Sequence, residues 1–195
     1  GSDSGVEITN LTPEIEGGDV LVDEDDLPAG SDGSESTTRE ATFNIDAPDG
    51  VASLIIHSVT VMNAGGLTGN IVTTPMGNEI EVTDYNPATG LVTYEYTLKS
   101  AEDHGPLDDG ENSIYDNVTV ELIDTDGDST TDTLSAQIVD DIPSVEVIAG
   151  EDGKGEDWVE ESEVLLTTQD ADTVGANSDT ATSSGNFSGV FTAIP

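Results

Sequence analysis

The sequence contains no cysteine, so it carries neither a disulfide framework nor thiol chemistry. Positive charge is almost missing: 3 Lys and Arg stand against 42 Asp and Glu, a formal net charge of −39. Repulsion on that scale opposes any compact state and excludes nucleic acid as a direct partner. Aromatic residues make up only 4% of the chain and there are two histidines, neither in a metal-ligand pair. No apolar run approaches the length of a membrane span, so membrane insertion by this segment is not expected. No nucleophile elbow, phosphate loop or zinc motif is present. A glycosidase needs two acids in a cleft lined with sugar contacts, and Trp158 with four tyrosines is a thin supply. The chain is therefore expected not to be an enzyme, with a carbohydrate-active domain as the catalytic alternative. Gly1-Ser2 reads as the remnant of a cloning site, and no basic, hydrophobic export signal opens the chain.

An acidic chain with few aromatics is also the composition of disorder. Against disorder stands a regular series of β-branched segments between turn signals. Val6–Thr9 and Val20–Val22 are short strand candidates, followed by Thr42–Ile45 and Leu54–Met62 across the turn Ala47-Pro48-Asp49-Gly50. Glu79–Thr83 and Leu91–Leu98 alternate with period two and are joined by the hairpin loop Asn86–Gly90. Asn117–Ile123 and Thr131–Val139 form a last pair around Asp126-Gly127-Asp128. Short strands at this spacing without a convincing helix predict an all-β, antiparallel β-sandwich.

Carboxylates collect where these strands end. Asp124, Asp126 and Asp128 are spaced two apart at a glycine turn, Asp140 and Asp141 close the last strand, and Glu24 and Asp25 lie in a run of four acids after Val22. Uncompensated, such groups repel; Ca²⁺ takes six to eight oxygens from flexible carboxylate and carbonyl ligands and removes the repulsion. A solvated Asp-Gly turn would need only Asp126 and Gly127. An EF-hand is excluded, because the glycine falls at the fourth loop position and Ser135 replaces the closing glutamate. The reading is a sandwich stabilised by Ca²⁺, with bound metal replacing the absent disulfides. His57, within an apolar run, reads as a packed or rim side chain. His104, in the acidic loop, could ligand a transition metal, but the unpaired histidine is taken as a bland one.

The chain also echoes itself. Val6-Glu7-Ile8 returns as Val145-Glu146-Val147, and Val22–Leu27 returns in character as Val159–Val164. The expected organisation is a leading strand and linker over 1–19, a sandwich over 20–143, and a partial second repeat over 144–195 that packs on the first. Trp158, Phe187 and Phe191 would anchor that packing. Glu161, Asp170 and Asp172 add further metal candidates within the second copy.

Leu91–Leu98 with Asp103-His104, Val118–Val120 leading into Asp124-Thr125-Asp126-Gly127-Asp128, and Val139-Asp140-Asp141-Ile142-Pro143 resemble the repeat units of giant RTX adhesins. Leu165–Thr173 through Phe187–Phe191 resembles the opening of the following repeat. The resemblance covers most of the chain on short motifs, and the glycine-rich nonapeptide of calcium β-rolls is absent. It implies Ig-like or cadherin-like sandwiches with Ca²⁺ at their junctions, exported by type I secretion to the surface of a Gram-negative bacterium. There they serve adhesion and biofilm formation, either as extenders or as modules that bind a protein, peptide or glycan. In the cadherin-like picture Glu24 and Asp25 join Asp124, Asp126, Asp128, Asp140 and Asp141 at one pole. Expected partners are neighbouring repeats and a host or microbial surface ligand, with the chain a monomer. The loops Ala64–Gly77, Glu102–Glu111 and Asp170–Gly185 are the candidate ligand surfaces.

Overall fold

The computed structural model describes residues 5–104 and 113–141, together with the backbone of three further strands. In chain order the strands are β1 Glu7–Thr9, β2 Val20–Asp23, β3 Thr38–Asp46, β4 Val51–Ile56, β5 Val59–Asn63, β6 Gly66–Leu67, β7 Ile71–Thr73, β8 Glu79–Asn86, β9 Leu91–Thr97, β10 Ser113–Asp124 and β11 Ser129–Val139. One sheet has the order β1-β3-β9-β8-β7 and the other β2-β11-β10-β4-β5-β6, and together they make an all-β sandwich. The backbone strands β12 Ser144–Val147, β13 Val164–Gln169 and β14 Thr182–Gly185 form a separate antiparallel sheet. Among the described residues no helix is long and apolar enough to cross a membrane.

Alternation explains the packing. Every second residue of β9 is buried, placing Val92, Tyr94 and Tyr96 inside, and β10 does the same with Val118, Val120 and Leu122. These meet Phe43, Leu54, Ile56, Ile80, Leu134 and Ile138 in one core. The Phe43 and Tyr94 rings pack tilted, with centroids 5.9 Å apart. Gly90 ends the β8–β9 loop at φ +73°, and a Cβ there would lie 2.1 Å from the Ile45 carbonyl oxygen, so only glycine fits.

Two features position the acidic groups. β10 and β11 pair antiparallel from Ser113↔Val139 to Ile123↔Ser129. β2 pairs with β11 in parallel, from Val20↔Ala136 to Asp23↔Val139, so Glu24 and Asp140 leave the sheet side by side.

The expected strand over Leu54–Met62 is a hairpin instead. His57 and Ser58 both take left-handed backbone, φ 45° and 67°, and reverse the chain between β4 and β5. His57 is exposed at that turn and not packed within a strand. The segment Ala64–Gly77, read as loop, contains β6 and β7. The packing anchors Trp158, Phe187 and Phe191 lie outside the described residues.

Candidate metal centres at two ends of the sandwich

The β10–β11 turn is built around the Asp124 carboxylate. Asp124 continues the inward-facing register of Val118, Val120 and Leu122 and is 1% exposed. Its Oδ1 accepts backbone N–H groups from Asp126 (3.2 Å), Gly127 (2.9 Å) and Asp128 (2.8 Å). Gly127, at φ 101°, supplies the left-handed residue the turn requires. The β3–β4 turn docks alongside: the Thr125 N–H donates to the Gly50 carbonyl at 3.1 Å, and the Thr125 hydroxyl donates to the Asp49 carbonyl. Carboxylate oxygens of Asp49, Asp124 and Asp126 then lie within 4.8 Å of one another.

The electrostatics of this triad are those of a site that lacks positive charge. Burial pushes the Asp124 carboxyl up, but hydrogen bonds from Asp126 and from the backbone of Asp128, Gly127 and Asp126 outweigh it and hold it below the usual carboxylate range. Asp126 is pushed up to about 6, first by its hydrogen bond with Asp124, then by burial and by the charges of Asp124, Asp49 and Asp128. Asp124 Oδ2 is buried without a hydrogen-bond partner. Buried polar atoms are nearly always satisfied, and three carboxylates converging within 4.8 Å offer the oxygen donors a hard divalent cation takes. The residues fit calcium.

Asp49 was not among the residues singled out from sequence; it was read only as part of a turn. Asp128 contributes its N–H to Asp124, and its own carboxylate lies outside the triad.

The expected grouping of all these acids at one pole is wrong. Asp140 and Asp141 follow the far end of β11, and eleven residues at about 3.4 Å each separate them from the Asp124 turn, roughly 35 Å. An antiparallel hairpin sends its tip and its base to opposite ends, so the two motifs cannot share an ion.

Asp140 and Asp141 meet Glu24 and Asp25 instead, because β2 runs parallel to β11. Glu24, Asp26, Asp140 and Asp141 are all buried here. Glu24–Asp26 form a 3-10 turn whose preceding residue, Asp23, accepts the Asp25 N–H at 3.1 Å. Gly30 packs so closely under this turn that a Cβ would lie 2.4 Å from the Asp25 carbonyl oxygen and 2.5 Å from that of Glu24. The Ser31 N–H donates to Asp141 Oδ2 at 3.0 Å. Arg39 Nη2 reaches Asp26 Oδ2 at 2.6 Å. The Glu102 N–H donates to Glu24 Oε1 at 2.7 Å, and His104 Nε2 lies 3.1 Å from the same oxygen. Asp25 is pushed up to about 6 by burial, then by Asp23, Asp26 and Asp141. Glu24, His104 and Asp140 have ligand atoms within 4.8 Å of one another. Glu161, Asp170 and Asp172 lie outside the described residues, as does most of each of the loops Glu102–Glu111 and Asp170–Gly185.

Comparison of the chain with protein-family models, with curated proteins and with solved structures returns no match.

Proposed function

We propose that this chain is a calcium-braced β-sandwich module of a secreted bacterial surface adhesin, acting in cell attachment and biofilm formation. The observation that carries the calcium reading is the convergence of carboxylate oxygens of Asp49, Asp124 and Asp126 within 4.8 Å, with Asp124 Oδ2 buried and without a hydrogen-bond partner. Ca²⁺ there would tie the β10–β11 hairpin turn to the β3–β4 turn, where the chain crosses from one sheet to the other. The adhesin assignment draws on the resemblance of the strand and turn motifs. It is supported by a composition without cysteine, in which bound ions would take the place of disulfides. In this reading the sandwich is stiff when loaded, so that it holds or presents a binding surface away from the cell.

Calorimetric melting in EDTA and in millimolar Ca²⁺ tests the proposal. A site with Kd near 10 μM would add about 2.7 kcal/mol at 1 mM Ca²⁺, a rise in Tm of roughly 5–10 °C for a domain of this size. Identical melting in both conditions would overturn it and return the acidic clusters to surface charge.

A further inference from the structure

We infer that the end of the sandwich opposite the Asp124 turn is a second metal site of different chemistry, in which Glu24, His104 and Asp140 bind a first-row transition cation of the Zn²⁺ type. This inference does not rest on the calcium reading of the Asp124 turn.

Three observations carry it. The His104 side chain is fully buried, as is that of Glu24, at an end of the sandwich that also buries Asp26, Asp140 and Asp141. An imidazole in such a place is not a rim side chain. Second, His104 Nε2 lies 3.1 Å from Glu24 Oε1 and groups with an Asp140 carboxylate oxygen. Metal–ligand bonds of about 2.1 Å place neighbouring ligands about 3.0 Å apart in an octahedron and about 3.4 Å apart in a tetrahedron. The observed separation falls between the two. Third, the three donors come from independent elements: the 3-10 turn after β2, the segment after β9, and the exit of β11. The parallel β2–β11 pairing fixes two of them, and the Glu102 N–H bond to Glu24 fixes the third. Precise placement of ligands by backbone is what a preformed site needs.

The donor set decides the ion. Ca²⁺ and Mg²⁺ take oxygen ligands, whereas imidazole nitrogen suits Zn²⁺ and its neighbours in the row. Two carboxylates and one imidazole leave the remaining positions to water or to a group from another molecule.

The test titrates the full chain with ZnCl₂ in millimolar Ca²⁺. One tight equivalent is expected, weakened about tenfold or more in His104→Gln and unchanged in Asp124→Asn. The ring ¹⁵N signals of the two histidines give an independent readout on the unmodified protein: His104 Nε2 should shift on Zn²⁺ addition, while exposed His57 stays fixed. Uptake spread over several weak equivalents and equal in both proteins would overturn the site, as would displacement of Zn²⁺ by Ca²⁺. Should His104→Gln fail to fold, the ¹⁵N shift decides alone, and an unmoved His104 ring rejects the site. Loss of the Ca²⁺-dependent melting shift with Zn²⁺ binding intact would count against the calcium proposal only.

Discussion

Asp116 and Asp124 occupy inward-facing positions near the two ends of the same strand, β10, bracketing the core residues Val118, Val120 and Leu122. Each is 1% exposed, yet they are satisfied differently. Asp116 Oδ2 accepts hydrogen bonds from the Tyr96 hydroxyl at 2.7 Å, the Thr74 hydroxyl, and the Asn78 amide at 3.4 Å. Asp124 Oδ1 is held by main-chain N–H groups and its Oδ2 is not hydrogen-bonded. Asp116 Oδ1 is likewise buried without a hydrogen-bond partner; the difference is that hydroxyl and amide donors surround Asp116, whereas the carboxylates of Asp49 and Asp126 meet Asp124.

Calcium dependence should therefore follow the Asp124 triad. Asp124→Asn and Asp49→Asn are each expected to lose most of the Ca²⁺-induced rise in Tm, whereas Asp128→Asn, which keeps its N–H, should retain more of it. Titration calorimetry of the three variants checks the ranking. Equal losses at Asp49 and Asp128 would argue against the triad.

Asp116→Ala should destabilise the sandwich by about 2–4 kcal/mol, because it strands buried hydroxyl and amide donors. The loss should be the same in EDTA and in Ca²⁺, since Asp116 lies at the other end of β10 from the triad. Urea midpoints in both buffers provide the measurement.

Stability of the metal-free protein should fall as pH rises from about 4 to about 6. Asp25 and Asp126 both have folded values raised to about 6 from an ordinary 3.8. A raised carboxyl value stabilises the fold below the unfolded value, and that contribution disappears as pH climbs through the folded one. The depressed Asp124 acts in the opposite sense, but only as pH drops below 3.8. Calcium binding at the triad must remove the Asp126 proton, so the Ca²⁺-induced shift in Tm should be larger at pH 7 than at pH 5. Melting curves in EDTA and in Ca²⁺ across this range test both slopes.

Arg39→Gln removes the guanidinium from Asp26, which is 4% exposed. Breaking a fully buried pair costs about 3–5 kcal/mol; Arg39 is a third exposed, and solvent screening brings the expectation to about 1–3 kcal/mol. Equilibrium unfolding of the variant in EDTA measures it.

Much of the sandwich is legible in the sequence, because half-buried strands alternate. Leu91–Leu98 and Asn117–Ile123 show that period plainly; the first is a strand at nearly the expected limits, and the second lies within a strand that begins four residues earlier, at Ser113. The β4–β5 turn is not legible: two-residue hairpin turns usually advertise themselves with Asn-Gly or Asp-Gly, and here His57-Ser58 takes the left-handed backbone. β6 and β7 are two and three residues long, too short to show a period.

The acids were readable as candidates but not as sites. Asp-x-Asp-Gly-Asp names a turn, while the third carboxylate of the triad, Asp49, comes from the sheet-to-sheet turn between β3 and β4, some 75 residues earlier. The bland reading of His104 rested on its lack of a paired histidine. Its carboxylate neighbours come from Glu24 and Asp140, far away in the chain, and only the parallel pairing of β2 with β11 brings those two together.

That parallel pairing has a mechanical consequence. A pull on the chain ahead of β2 and on the chain beyond β11 drives the two strands past each other along their own axes. The four registered pairs from Val20↔Ala136 to Asp23↔Val139 are then loaded together in shear, and the ladder cannot be unzipped one rung at a time. Forced unfolding is governed by the barrier and not by equilibrium stability. A cation gripped between Glu24 and Asp140 would act as a rivet across that same seam.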